Sequence, residues 1–382
     1  MFTWQKIEKD PFRIFFPLGA ILALCGLAPW LGHFFGYIGY PRTLHELLMM
    51  NGFLLSFVCG FLMTAIPRFT GANYATRYEI VTVLTMIITS AFVAFSRLQS
   101  VNYLLSSFAI IFLASFAIRR FVKRTANPPH TFIFIGLGLV LWLCGNLGQY
   151  LSARGLVQSA SVAEMFQDLF TNGAIMCLVL GVGGRVMPAI LGWQDVVTHM
   201  RKQYETAGSF FGKIPFAIWA SIYVFLLSFL LEPFISIRVC FSLRGLVTLY
   251  FGIKFWRIFQ LPKNRSYLAW GIWLSAWCLA VGYFIPAIWI SQEVDALHFL
   301  LVGGFSLLTL LIAMRVSFAH SPAGTDIEKR SPLILIFAGL ILLAMITRVT
   351  AIIWPPIYLD HLGYAAATWL VGLLLWGWLV VM

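Results

Sequence analysis

The chain has 382 residues, 60% of them hydrophobic and only 10% charged. Soluble domains carry about 25% charged residues, so this composition excludes a water-soluble globular protein and makes lipid the solvent for most of the surface. The net charge of +12 would suggest nucleic acid as a partner of a soluble protein. Here the basic residues sit in short loops between apolar runs, where they orient a chain in a bilayer, and nucleic acid is excluded as a partner.

The segment Met1 to Asp10 is short and polar, and the apolar run from Phe12 shows no small-residue cleavage site, so the first span reads as a retained helix. Each span needs roughly 20 apolar residues. Apolar runs bounded by charged or Pro/Gly-rich breaks predict twelve helices, at about 12–38, 44–66, 79–96, 101–118, 131–153, 162–184, 208–230, 236–253, 267–290, 295–317, 332–353 and 362–381. Asn127-Pro128-Pro129 bounds the fifth and Pro355-Pro356 stops the eleventh. The expected fold is all-α: an integral membrane protein of about twelve transmembrane helices in one transmembrane domain, 1–382, with the lipid bilayer as its first partner.

Alternate loops differ in charge. Lys6, Lys9, Arg13, Arg68, Arg77, Arg119, Arg120, Lys123, Arg124, Arg201, Lys202, Lys254, Arg257, Lys263, Arg265, Lys329 and Arg330 fall on one side; Arg42, Arg97, Arg154 and Arg238 fall on the other. This asymmetry predicts a multi-pass protein of the bacterial inner membrane with both termini in the cytoplasm.

The sequence also repeats. Asn51-Gly52, Pro67 and Gly71 recur as Asn172-Gly173, Pro188 and Gly192 at an offset of 121, and Leu24-Cys25-Gly26 recurs as Leu143-Cys144-Gly145 at an offset of 119. Asp168, Gly173, Arg185 and Val186 align with His298, Gly303, Arg315 and Val316 at an offset of 130. These matches predict three pseudo-symmetric four-helix units, 1–127, 128–260 and 261–382.

Ionisable groups within spans are costly and are functional candidates. Of the seven histidines, His45 opens the second span and His298 the tenth, and both lie at the outer face. His33 and His361 are also outer; His130, His199 and His320 are cytoplasmic. Imidazole is a strong iron ligand, and two helices presenting imidazoles at one depth suit the two faces of a haem. Glu46 and Asp295 are candidates to orient the rings, and Gly52, Gly303 and Gly304 would let a flat macrocycle approach the backbone. The alternative for each histidine is an interfacial side chain bonded to a neighbour. Arg348 and Arg42, on the same side, are candidate haem-propionate partners. Arg185 and Arg315 either snorkel to headgroups or bind an anion.

The six cysteines lie inside apolar spans with no C-x-x-C pair, which predicts neither disulfides nor a thiolate metal site. No phosphate-binding glycine loop or nucleophile elbow is present, and Met49 stands where a zinc-protease helix would place its second histidine.

Several blocks resemble the NnrS family of haem- and copper-containing membrane proteins, which is linked to the nitric oxide response of denitrifying and pathogenic bacteria. They are Asp10-Pro-Phe-Arg-Ile-Phe-Phe-Pro-Leu-Gly19; Leu44-His45-Glu46 through Gly60-Phe-Leu-Met-Thr-Ala-Ile-Pro67 and Gly71; Gly183-Gly-Arg-Val-Met-Pro-Ala189; and His298 through Gly303-Gly304 to Met314-Arg-Val-Ser-Phe-Ala-His320. The resemblance implies haem b held by His45 and His298. It also raises copper, with His320 as a further metal-ligand candidate, although Thr43 replaces a histidine common in the family and copper sites usually want two or three imidazoles. The architecture is similar to the catalytic subunit of haem-copper oxidases, but Ala296 stands where the reactive haem's histidine would be.

Three functions compete on this reading. The first is a haem-binding protein of nitric oxide tolerance, with nitric oxide or an electron donor as partner. The second is a membrane reductase of nitric oxide or a related small molecule. The third is a transporter with Arg185 and Arg315 in the substrate path. The sequence leaves the substrate and the oligomeric state open.

Overall fold

Hydrocarbon offers no water to a free peptide group, so a chain this apolar satisfies its backbone within helices. The computed structural model, which describes residues 3–205, 210–211, 214–322 and 324–381, is all-helical, with no strand among the described residues. Eleven of its helices are long and apolar enough to cross a membrane. In chain order the apolar helices are α1 (Phe12–Phe34), α2 (Arg42–Thr70), α3 (Arg77–Ala94), α4 (Gln99–Val122), α5 (His130–Ala153), α6 (Ala160–Leu191), α7 (Phe216–Leu230), α8 (Ile237–Trp256), α9 (Tyr267–Ile288), α10 (Ile290–Ala319), α11 (Leu333–Ile353) and α12 (Pro355–Val381). The chain is a multi-pass membrane protein.

The shorter helix, α7, has 15 residues, about 23 Å at 1.5 Å per residue. The expected start of this span, at 208, lies outside the described residues, as do residues 1, 2 and 382 at the limits of the expected domain. Elsewhere α1, α9 and α11 stay within the expected bounds, and the other helices begin or end beyond them. α12 starts seven residues before the expected 362, because Pro355 and Pro356 open it in a 3-10 turn; proline suits a first helical turn, where its missing N–H goes unused. α2 and α6 run through Pro67 and Pro188 to matching ends. Gly71 (φ 65°) and Gly192 (φ 89°) adopt the left-handed conformation. The next amides, of Ala72 and Trp193, bond back to Pro67 O and Pro188 O at 3.2 and 2.9 Å, the glycine-terminated C-cap that satisfies late carbonyls.

Three helices widen into π-helical turns near their starts: Leu48–Leu54 in α2, Leu169–Gly173 in α6 and Phe299–Ser306 in α10. Their first residues stand 121 and 130 positions apart, the same offsets that relate the sequence blocks. A fourth, Gly252–Trp256, ends α8. Such segments concentrate at functional sites.

The chain forms two compact units. The first comprises Met1–Gly26, Arg42–Gly181 and His199–Ile218; the second comprises Leu27–Pro41, Val182–Thr198 and Trp219–Met382. In the first, α1 lies close on α2: Phe16 stacks on Phe57 with centroids 4.8 Å apart. A buried amide cluster ties α2, α4 and α5, with Asn51 Nδ2 donating to Asn102 Oδ1 at 2.9 Å and to Asn146 Oδ1 at 2.8 Å. In the second unit, Cys278, Met345 and Val349 form a buried cluster with Phe299, Val302 and Leu342 against it. Trp369 and Trp376 of α12 donate to Ser306 Oγ (3.0 Å) and Leu310 O (2.9 Å) of α10.

Candidate functional site

His45 is half-buried at the head of α2, and its Nδ1 lies 3.0 Å from Gly26 O. A carbonyl oxygen only accepts, so Nδ1 carries the hydrogen. The neutral ring then has its lone pair on Nε2, the form that ligates a metal. His298 is held in the same tautomer by Val294 O, one turn back on α10, at 2.6 Å. A backbone carbonyl bonded to the second ring nitrogen is the usual orienter of a ligating histidine. The π segment of α2 begins three residues after His45, and that of α10 begins at the residue following His298. His320 Nδ1 donates to Val316 O at 2.8 Å, and His33 Nδ1 to Ile38 O at 3.1 Å.

The two carboxylates that the sequence offered as ring orienters have other occupations. Glu46 accepts from Gln167 Nε2 at 2.6 Å, while Arg42, one turn earlier, is exposed. Asp295 accepts from Arg348 and, at 3.0 Å, from the Tyr358 hydroxyl. The Asp295 and Arg348 side chains are 8% and 11% exposed, so the pair is largely withdrawn from solvent. It brings Arg348 of α11 to the end of α10 that carries His298. Tyr358, whose ring lies 5.8 Å from the Arg348 guanidinium carbon, completes the group and was not singled out by the sequence.

The three glycines lie at helix contacts. A Cβ on Gly52 would stand 3.2 Å from Leu22 Cβ; on Gly303, 2.3 Å from Met345 Sδ; on Gly304, 2.9 Å from Leu279 Cδ2. Within the π segment of α10, Gly304 O accepts from Ser275 Oγ of α9 at 2.9 Å. Each glycine therefore permits a neighbouring helix to approach within its own unit.

Arg315 donates to Glu328 at 2.7 Å, with the carboxylate side chain 3% exposed. Burial pushes the Glu328 carboxyl above its ordinary range, against the opposing pull of Arg315. In the first turn of the helix Gln194–Glu205 that follows α6, the hydrogen bond from Arg257 at 2.5 Å holds Asp195 below its ordinary range. No group of three or more His, Cys, Asp or Glu side chains among the described residues is arranged to hold a metal ion.

Sequence reasoning missed the most deeply buried charge. Arg244, 0% exposed and well inside α8, pairs with Glu232 and donates to Ser228 O at 3.1 Å. Its guanidinium carbon lies 3.7 Å from the Phe229 ring centroid and 4.9 Å from that of Phe241. The signal was available, since Arg244 stands eight positions into an apolar run rather than at its edge.

A family model described as NnrS protein matches residues 7–382. No curated protein matches the chain. Because the match takes in nearly every described helix, including both histidine-bearing π-helical spans and the Arg185 and Arg315 blocks, the chain belongs to the NnrS family.

Proposed function

We propose that this NnrS-type protein, of a family linked to the nitric oxide response, supports nitric oxide tolerance as a haem b protein, with His45 and His298 as the residues that would hold the iron. One observation carries the reading: both imidazoles have Nδ1–H donated to a backbone carbonyl, which leaves Nε2 as the lone-pair nitrogen. The donor set fits a haem, since iron takes neutral imidazole from either face. Held by His45 and His298, such a group would supply single-electron transfer or sensing.

The chain's own residues set how that group would be held. Gly26 O and Val294 O fix the two rings. Arg348, already charge-balanced by Asp295 and steadied by Tyr358, is the propionate partner at the His298 end, and exposed Arg42 is the corresponding cation one turn before His45. Placement in a bacterial inner membrane with cytoplasmic termini follows from the one-sided distribution of loop lysines and arginines.

The optical spectrum of the purified protein tests this. The reading expects a sharp reduced alpha band that disappears in both His45→Ala and His298→Ala. A purified protein that takes up no haem on reconstitution overturns it. So does a band that survives both substitutions.

A further inference from the structure

A cleft of about 410 Å³ opens at the Gly71 end of α2, lined by Pro67, Arg68 and the four residues from Gly71 to Tyr74. Its walls follow from local structure. The left-handed turn at Gly71 (φ 65°) ends the helix, and the chain then runs without regular structure until Arg77 opens α3. Buried Arg120 of α4 braces this stretch, donating from Nε to Asn73 O at 3.3 Å and from Nη2 to Tyr74 O at 3.0 Å. The loop after α4 holds the helix end: Thr125 N donates to Thr70 O at 2.8 Å, and Thr125 Oγ1 to Gly71 O at 3.3 Å.

Those contacts set the chemistry of the cleft. The carbonyls of Thr70, Gly71, Asn73 and Tyr74 already accept from residues that do not line it. The lining side chains add donors: the Arg68 guanidinium, the Asn73 amide and the Tyr74 hydroxyl. The Arg68 side chain is 36% exposed and bonds Asp10 Oδ1 at 2.6 Å and Thr64 O at 3.0 Å. A guanidinium has five N–H donors, so Arg68 keeps others for a ligand. Arg13 and Arg68 share Asp10, and Arg119 and Arg120 share Glu79. Each carboxylate answers two arginines, which leaves the surroundings of the cleft positive.

The geometry points to a cleft for the headgroup of one anionic phospholipid, its phosphate bound by Arg68 with Asn73 and Tyr74 donating beside it. Size favours a headgroup over a bare ion, since pockets of roughly 300–1,000 Å³ take whole small molecules. Depth agrees. Tyr74 and Tyr78 are 46% and 74% exposed, and exposed tyrosines at the ends of spanning helices sit at the membrane interface. Tyr78 and exposed Val81 lie one turn apart on the same face of α3, which gives an acyl chain an apolar path away from the cleft. Basic clusters at this depth attract anionic lipid, and guanidinium to phosphate is a strong charge-assisted pairing.

The test uses full-length protein purified in a non-ionic detergent and stripped of lipid. Native mass spectrometry reads retention of added phosphatidylglycerol, against zwitterionic phosphatidylcholine, with and without inorganic phosphate. Wild type is compared with Arg68→Gln, which removes the charge, and with Ala72→Phe, which fills the cleft and leaves every charge in place. Arg330→Gln, at an arginine 81% exposed in the second unit, is the control. The site expects one phosphatidylglycerol retained by wild type and control, with apparent affinity weakened about tenfold by either cleft variant. If Arg68→Gln, which takes one arginine from Asp10, does not purify as a single species, Ala72→Phe decides alone. Equal retention in wild type and Ala72→Phe overturns the proposal, as does an equal loss in Arg330→Gln. Phosphatidylcholine held as tightly as phosphatidylglycerol also overturns it. So does displacement of the lipid by an equal concentration of inorganic phosphate, which assigns the cleft to the free ion.

Discussion

Arg348 donates to Asp295 three residues before His298, and the two side chains are 11% and 8% exposed. Breaking a buried pair from one side strands a charge in low dielectric, at a cost of about 3–5 kcal/mol. Asp295→Ala is expected to lose that much. Removing both charges, with Asp295→Leu and Arg348→Met, leaves nothing stranded and is expected to cost less than either single change. Tyr358→Phe removes one hydrogen bond and should cost about 1 kcal/mol. Thermal denaturation of these detergent-purified variants, with the singles Asp295→Leu and Arg348→Met, orders them; a double variant as unstable as the sum of its singles refutes the coupling.

The Arg244–Glu232 pair makes a sharper demand, because the guanidinium is 0% exposed and lies over the faces of Phe229 and Phe241. Lysine carries the charge but neither the planar fork nor the stacking surface. Arg244→Lys is therefore expected to destabilise by about 2 kcal/mol or more. Phe229→Leu, which removes one stacked ring while leaving the ions in place, should cost less. Melting temperatures that do not distinguish Arg244→Lys from wild type rule out a role for guanidinium geometry.

The π segment of α2 separates His45 from the straight helix that follows Leu54. Deleting one residue of it, Met49, lets the segment regularise to α-helix. A π turn holds one more residue than the α turn that replaces it, so the deletion leaves the part carrying His45 in nearly the same orientation relative to Leu55–Thr70. His45 then keeps Gly26 O as its acceptor. The expected result is a protein that still inserts, purifies and keeps the reduced alpha band, whereas inserting an alanine after Met49 turns the part carrying His45 by about 100° and abolishes the band. A Met49 deletion that loses the band shows that the π turn itself positions the ring.

How far the sequence foretold this arrangement depended on which atoms were involved. The spans were legible because lipid tolerates only long apolar helices. Their ends were less so: Pro355 reads as a stop but opens α12, and Pro67 and Pro188 lie inside helices that continue to Gly71 and Gly192. His45 and His298 were visible as ionisable groups in apolar runs, yet their orienters, Gly26 O and Val294 O, are backbone atoms that no side-chain identity announces. Glu46 and Asp295 looked suited to that task by proximity in the chain, but partners distant in sequence, Gln167 and Arg348, engage them. The π turns were invisible too, because apolar residues on every side hide the change in helical period.

Glu328, outside the spans, carries a pH dependence whose direction follows from its surroundings. Burial raises its carboxyl above the ordinary glutamate value of 4.5, although Arg315 pulls the other way. The folded chain therefore holds this proton at pH values where the unfolded chain has released it. Stability from this group is fully present below 4.5 and is lost as pH rises through the folded value. Glu328→Gln keeps an acceptor for Arg315 but cannot ionise, so the variant escapes that loss. Its melting temperature relative to wild type is expected to climb as pH rises above 4.5 and then to level off. Asp195 has the opposite sign: held low by Arg257, it contributes above its ordinary 3.8 and loses that contribution as pH falls, weakly, because its side chain is 55% exposed. Melting curves of Glu328→Gln and Asp195→Asn between pH 4 and pH 8 separate the two signs. If Glu328→Gln instead loses ground to wild type as pH rises, attraction to Arg315 outweighs burial, and the assignment of cause is wrong.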